Sequence, residues 1–415
     1  MILDNYDNDI LKNKTIVLGV TGGIAVYKAL DLISILKKLG GDVKVIMTKS
    51  AAEFVAPLTF QSISQNPVAL DMFVEPKSWE IRHISLAKQA DVFAVAPCTA
   101  NVIGKIANGI ADDMLTTTVM ATKAPVLIAP AMNTNMFENR IVQDNINKLE
   151  EYGYNFVMPT VGRLACGDTG KGKLAPVEII AEEIIRLARI KDWDLTEKKV
   201  LITAGATREA IDPVRYITNH STGKMGFSLA RAAAIRGAEV TLVAGHNTQD
   251  KASWVKTVNV DSAEDMYNAV MEYAEDADII IKSAAVADFT PKSAADNKLK
   301  KEDVSDMRIE LKRTKDILQE LGIRYGDKKI IVGFCMETEN LIENAIKKCR
   351  GKNVGLIAAN SLRQEGAGFG SDTNIITIVG KDGVVRELPL ASKFKIANQI
   401  LDEALKLQRL PVRSE

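Results

Sequence analysis

Between Ile202 and Gly226 the chain reads ITAGATREAIDPVRYITNHSTGKMG, a run of small residues carrying Arg208, Asp212, Arg215, Asn219 and Lys224. It follows the apolar run Val200–Ile202 and precedes a helical pattern, Phe227–Arg236. A strand that ends in a Gly/Thr loop and re-enters a helix presents backbone N–H groups to anions. The chemistry such a stretch suits is the holding of phosphate, with Gly205 and Thr207 in its first turn. Lys224 at a helix start opposes the helix dipole at a small cost, which a bound phosphate offsets locally. The bland alternative is a surface turn, but its length and dense polar groups without low complexity favour a site.

A second set of small polar segments lies in the first half: Thr21–Gly23, Thr48–Ser50, Pro97–Asn101 and Pro130–Asn133. Each follows a short apolar run: Thr15–Val20, Val43–Met47, Val92–Ala96 and Val126–Ala129. Such runs suit buried parallel strands, and ligands bind at the carboxyl ends of those strands. With a helical pattern over Ile24–Leu39, the first of them form a βαβ unit. The four segments together would cradle a phosphate and a polar ring. The glycine fingerprint of a dinucleotide site, GxGxxG, is missing.

The whole chain bounds these readings. Its 415 residues exceed one ordinary core, so two domains are expected. Lys plus Arg balances Asp plus Glu at 53 each, and aromatics make up 5%, which argues against a nucleic-acid partner. No apolar run reaches membrane-spanning length and no secretory signal pattern opens the chain, so the expected compartment is the cytoplasm, with no membrane partner. Cys98, Cys166, Cys335 and Cys349 are scattered and expected to be reduced, and His83, His220 and His246 lack zinc-ligand spacing to a cysteine. Val177–Ile190 reads as a helix, and the charged, aperiodic KDWDLTEKK follows it. The boundary is placed there, giving domains 1–190 and 191–415. The second half starts a fresh βαβ unit with Lys199–Thr203, Lys224–Arg236 and Glu239–Val243. A helix over Ser262–Tyr273 opens with a capping box at Ser262 and Asp265. Further strands are expected over Asp278–Lys282, Ile330–Phe334 and Val354–Ala358, with a hairpin near Asn374–Arg386. The fold class is α/β, two doubly wound Rossmann-like domains.

GVTGGIAVYKA, VIMTKSA, APCTAN and PAMN stand in the order found in the FMN-binding cysteine decarboxylases. Residues Lys14 to Ala188 thus resemble phosphopantothenoylcysteine decarboxylase, implying a flavodoxin-like flavoprotein domain. The resemblance implies FMN contacts at Gly22, Gly23, Thr48, Thr99, Asn101 and Met132. It implies catalytic roles for His83 near flavin and substrate, for Asn133 on the departing carboxylate, and for Cys166 of the glycine-rich ACG flap as an acid. The implied chemistry is flavin-assisted oxidation of the cysteinyl side chain, loss of carbon dioxide, and return of the electrons. In GIADDML an Asp occupies position 112 where the family often has Asn, and Cys98 replaces a small residue.

GATREAIDPVRYITNHSTGKMG, AAVADFTPKSAADNKLKK, GFCMET and ANSLRQEGAGFGSDTN resemble phosphopantothenate–cysteine ligase in the same order, from Lys198 to Leu407. That resemblance implies a nucleotide-binding ligase domain joining 4'-phosphopantothenate to cysteine through an acyl-cytidylate, with CTP as co-substrate and Mg2+ or another divalent cation. Asn219 would bind the activated carboxyl and Lys298 the phosphate under attack. Arg215 would meet a phosphate bidentately. Gly205, Thr207, Asp212, Asp288 and Phe334 are the remaining nucleotide or substrate contacts, Asp288 also the metal candidate.

Together the two resemblances imply a bifunctional enzyme of coenzyme A biosynthesis. A flavin-binding interaction protein is the second reading, but it predicts loss of His83, Asn133 or Cys166 and leaves the second half unexplained. A dehydrogenase, the third, lacks the glycine fingerprint and a proton-transfer pair. The resemblances also imply a homo-oligomer, trimeric through the first domain and dimeric through the second, closing as a dodecamer.

Overall fold

The computed structural model describes residues 6–73, 81–164, 167–249, 254–298, 308–337, 339–361, 368, 370–381, 383 and 385–408. It divides into two compact units, Tyr6–Asp192 and a second that runs from Trp193 to the C-terminus.

The first unit runs β1 (Thr15–Val20), α1 (Lys28–Lys38), β2 (Asp42–Met47), α2 (Lys49–Ala52), α3 (Pro57–Ser64), α4 (Arg82–Gln89), β3 (Val92–Cys98), α5 (Ala100–Ala107), α6 (Met114–Ala121), β4 (Val126–Pro130), α7 (Thr134–Glu138), α8 (Arg140–Glu151), β5 (Asn155–Phe156), β6 (Thr160–Arg163), β7 (Thr169–Lys173) and α9 (Val177–Ala188). Strands β2-β1-β3-β4-β5 form one sheet, every pair parallel. This is the flavodoxin-like order, whose direction reverses between β1 and β3. β3 and β4 are buried at every position, as a sheet covered on both faces requires. The expected helix from Ile24 begins as one 3-10 turn, Ile24–Tyr27, because Gly23 offers no side-chain cap. β6 and β7 make a separate antiparallel hairpin.

The second unit runs β8 (Lys199–Ala204), β9 (Arg208–Ala210), β10 (Tyr216–Thr218), α10 (Lys224–Ile235), β11 (Glu239–Ala244), β12 (Lys256–Asn259), α11 (Ala263–Ala274), β13 (Ile279–Lys282), β14 (Phe289–Pro291), β15 (Leu311–Arg313), α12 (Ile317–Tyr325), β16 (Ile330–Glu337), α13 (Leu341–Gly351), β17 (Leu356–Ser361), β18 (Thr373–Gly380), β19 (Val385–Ser392) and α14 (Lys393–Gln408). Its sheet has the order β12-β11-β8-β13-β16-β17-β18-β19. The first six strands are parallel and, counted along the chain, lie 3-2-1-4-5-6, the Rossmann order; β18 and β19 add the expected hairpin antiparallel. The capping box at Ser262 forms, with Asp265 reaching back to the Ser262 N–H.

The charged stretch after α9 is not a loose connector throughout. Leu195 is buried, its N–H donates to Arg236 O at 3.0 Å, and Asp194 pairs with the Arg236 guanidinium at 2.6 Å. Two apolar residues, Trp193 and Leu195, in a charged run set no helical period, so the sequence pattern does not reveal this anchor.

Candidate functional site

In the first unit the glycine turn is held from behind. Thr21, fully buried, donates its hydroxyl to Pro97 O at 2.8 Å and accepts the Thr99 N–H at 2.9 Å. This ties the end of β1 to the end of β3, where the strand order reverses. Gly22 is required by close approach: a Cβ there would stand 2.4 Å from Ser50 Cβ. Among the described residues, the N–H groups of Gly22, Gly23, Ile24 and Ala25 have no hydrogen-bond acceptor, so the turn opens as a nest of donors. A cavity of about 890 Å3 lies over this turn. Gly22, Gly23, Thr99, Met132 and Asn133 line it, with Lys28, Arg163 and Lys173 as cations.

Asn133 is fixed as the cap of α7, its Oδ1 accepting the Asn135 N–H at 2.9 Å. The β6–β7 hairpin closes down beside it: Met132 N–H donates to Gly172 O at 3.0 Å. Gly172 has φ +152° and a Cβ there would meet Met132 O at 2.3 Å, so only glycine allows this contact. Arg163 and Leu164 of the flap line the cavity; Cys166 lies outside the described residues.

Three expected residues fall outside the lining. Thr48 caps α2, accepting the Ala51 N–H at 3.2 Å. Asn101 is exposed on the first turn of α5, and His83 is half-buried within the first turn of α4. The unusual Asp112 has a partner: Lys105 Nζ lies 2.7 Å from it and 3.2 Å from Asp113. The Asp112 hydrogen bond, foremost, raises the Lys105 ammonium above its usual range. Burial pushes the Asp113 carboxyl up, but bonds from Thr116 and Lys105 bring it below its ordinary value.

In the second unit the opening stretch folds inward on itself. Gly205 has φ +81°, and a Cβ there would meet His246 O at 2.5 Å. Its carbonyl accepts the Ala285 N–H at 2.9 Å, which stitches the Gly/Thr loop to the AAVAD segment. Thr207 is fully buried and its hydroxyl accepts the Ala287 N–H at 3.0 Å, so it shapes the loop from inside. Asp212 serves its own turn. Its buried carboxylate accepts the Val214 and Arg215 N–H groups at 2.9 and 2.8 Å and grips the Arg215 guanidinium at 3.0 and 2.6 Å. Arg215 therefore spends Nε and Nη2 on its own loop, while its side chain stays 43% exposed. Lys224 likewise pairs with Asp372 at 2.6 Å and donates to Gly370 O at 2.9 Å, which offsets its helix-start cost without a phosphate. Asn219 is exposed and donates to Ala285 O at 3.1 Å. Lys298 is exposed, three residues beyond the bond from Ala295 N–H to Ile211 O at 2.9 Å.

Asp288 and Phe334 do come together. They line a cavity of about 440 Å3 at the ends of β13 and β16, under the start of α12. Sequence reasoning missed its cations, Lys282, Arg313, Lys315, Lys348 and Lys352. The available signal was Lys282 itself, a lysine closing the apolar run IIIK. Lys352 pairs with Asp316 at 2.6 Å; burial pushes that carboxyl up, and Lys352 with the Gln319 N–H brings it below its usual range. Cys335 packs in the core of this unit, and burial pushes its thiol up to about 11, which disfavours the thiolate. Among the described residues no group of three or more His, Cys, Asp or Glu gathers as a metal site, and no helix is long and apolar enough to cross a membrane.

The flavoprotein family model matches residues 5–189, and the model of the DNA/pantothenate metabolism flavoprotein C-terminal domain matches residues 195–407. The chain is 51% identical over 402 residues to the coenzyme A biosynthesis bifunctional protein CoaBC of Bacillus subtilis (strain 168), covering 96% of this chain and 98% of that one. It is 44% identical over 397 residues to the CoaBC of Vibrio vulnificus (strain YJ016), covering 95% and 98%. With that of Escherichia coli (strain K12) it shares 40% over 396 residues, covering 95% and 97%. A cavity over a glycine turn in one unit, a cation-lined cavity in the other, and likeness along nearly the whole length agree: the chain belongs to the family of the coenzyme A biosynthesis bifunctional protein CoaBC, enzymes that combine a flavoprotein decarboxylase with a ligase.

Proposed function

We propose that residues 6–192 carry the decarboxylase and the second unit the ligase, so that 4'-phosphopantothenate is joined to cysteine in one unit and the product decarboxylated to 4'-phosphopantetheine in the other. The observation that carries this division is the pair of unlike cavities. One has unpaired backbone donors, apolar walls and Asn133; the other has two aromatics, two carboxylates and five cations.

The first cavity fits FMN. Its size is within the range of cofactor sites. The Gly22–Ala25 donors suit a phosphate, while Thr99 and Met132 face the same space. FMN, when bound, supplies the electron-accepting ring. Asn133, locked by its own cap, holds the substrate carboxylate that leaves. The flap carrying Cys166 excludes water and delivers a proton. His83 reaches the site from another copy of the chain. Ile24, Tyr27 and Met136 support a covered cavity mouth: they line the cavity yet are 61%, 53% and 48% exposed in the single chain. The assembly we favour is trimeric through the first unit and dimeric through the second, a dodecamer in the cytoplasm.

In the second unit, the phosphopantothenate carboxylate attacks the α-phosphorus of CTP and releases pyrophosphate, and the cysteine amine then displaces cytidine monophosphate from the acyl-cytidylate to form the amide. Joining two anions needs cations and donors to offset their repulsion. Asp288 and Phe334 hold the nucleotide, Asn219 the activated carboxyl and Lys298 the phosphate under attack. The divalent cation, Mg2+, arrives on the triphosphate, which supplies the oxygen ligands it prefers.

His83→Asn is expected to stop carbon dioxide release while phosphopantothenoylcysteine still forms. Asn219→Asp is expected to do the reverse, with supplied phosphopantothenoylcysteine still decarboxylated. Mass spectrometry of the products, alongside the flavin absorption spectrum, checks both. Loss of both activities from either substitution overturns the division.

A further inference from the structure

Lys282 closes β13, opposite Thr203 of β8 and Gly333 of β16. Side chains alternate along a strand, so Lys282 shares the face of Ile280, which packs in one core with Ile317, Leu318 and Leu321 of α12. An amine is thereby carried to the cavity that holds Asp288 and Phe334. The other lysines there are spoken for: Lys352 by Asp316 at 2.6 Å, Lys315 by Glu264 at 2.7 Å, Lys348 by Glu337 at 3.7 Å. Lys282 is different. Among the described residues it has no ion pair, and its hydrogen bond goes to Ala284 O at 3.2 Å. An ammonium has three donors, so two remain unmatched in a half-buried position. Leaving them so costs free energy that an acceptor entering the cavity would recover.

We propose that Lys282 is a nucleotide-reading residue of the ligase, donating from the cavity wall to an oxygen of the bound nucleoside triphosphate. This rests on the second cavity being the nucleotide site. The oxygen is either a ring carbonyl or a phosphate oxygen. Desolvation lowers the Lys282 ammonium to about 8, with the neighbouring Lys352 and Lys348 pushing the same way and Asp316 and Asp288 opposing. Arg313 and Lys315 complete the charges around it. A bound acceptor favours the charged amine, so binding takes up a proton near pH 8.

The test is calorimetry on the full chain with CTP and magnesium, at pH 7 and pH 9, for the wild type, Lys282→Met and Lys282→Arg, with flavin absorbance and circular dichroism confirming folding. The wild type is expected to bind more weakly at pH 9. Lys282→Met is expected to lose tenfold or more at pH 7 and to bind alike at both pH values; Lys282→Arg should recover affinity without the pH dependence. Cytidine separates the two oxygens: a Met/wild-type difference that persists with cytidine places the contact on the ring, and one confined to CTP places it on a phosphate. Equal CTP affinity and pH dependence in wild type and Lys282→Met overturn the role of Lys282. Absence of CTP binding in the wild type overturns instead the nucleotide reading of the cavity. Should Lys282→Met not fold, proton uptake by the wild type at pH 8, measured in two buffers of different ionisation enthalpy and compared with Lys282→Arg, decides the matter, and equal uptake rejects the proposal.

Discussion

Lys282 ends the run Ile279–Ile281, and its amine is the polar group that this part of the sheet must accommodate. Desolvation brings its pKa from 10.5 to about 8, so between these values the unfolded chain holds the proton more tightly than the folded one. Stability then rises with pH across that window. Below it both states are protonated and the full cost, at most about 3 kcal/mol, is present. Lys282→Met is therefore expected to melt higher than the wild type at pH 7, with the gap closing toward pH 10. Thermal melts across pH check this, and a lower-melting variant at pH 7 would reject the desolvation account. Asp212 and Arg215 teach the converse lesson: in a phosphate-like loop the Asp is buried and holds its own turn, and it takes two of the Arg215 guanidinium donors while that side chain stays 43% exposed.

Elements in this chain are set largely by local chemistry. α11 starts where Ser262 and Asp265 satisfy each other's backbone donors. Removing one arm leaves an orphan N–H at the helix start. Ser262→Ala is expected to cost about 1 kcal/mol and to lower the melting temperature by roughly 2–4 °C, with ligation unchanged because α11 does not line the nucleotide cavity. An unchanged melt would mean that the cap adds nothing beyond packing. The β6–β7 hairpin shows the limit of local chemistry: its glycines look like plain flexibility, yet Gly172 is needed for contact with Met132.

At the scale of the molecule, each unit has its own sheet and its own cavity. The second also has a full core that joins β8, β13, β16 and β17 to α11, α12 and α13. Residues 193–415 expressed alone are expected to fold cooperatively and to ligate without flavin. The outcome is read by circular dichroism and product mass. An unfolded or inactive fragment would mean that the ligase depends on the first unit.

The sequence alone determined the central strands of both sheets, the helices α1, α9, α10 and α11, the capping box and both families of motif, because burial and capping act over a few neighbouring residues. It also brought out Gly22, Thr99, Met132 and Asn133, which meet at one cavity because strand ends share one edge of a parallel sheet. Tertiary structure decided which polar groups face that edge. Thr207 and Asp212 turn inward because buried loop backbone must find partners. Lys282, Lys348 and Lys352 gather around Asp288 and Phe334 because β13, β16 and α13 pack side by side, a juxtaposition of distant segments that no local periodicity encodes.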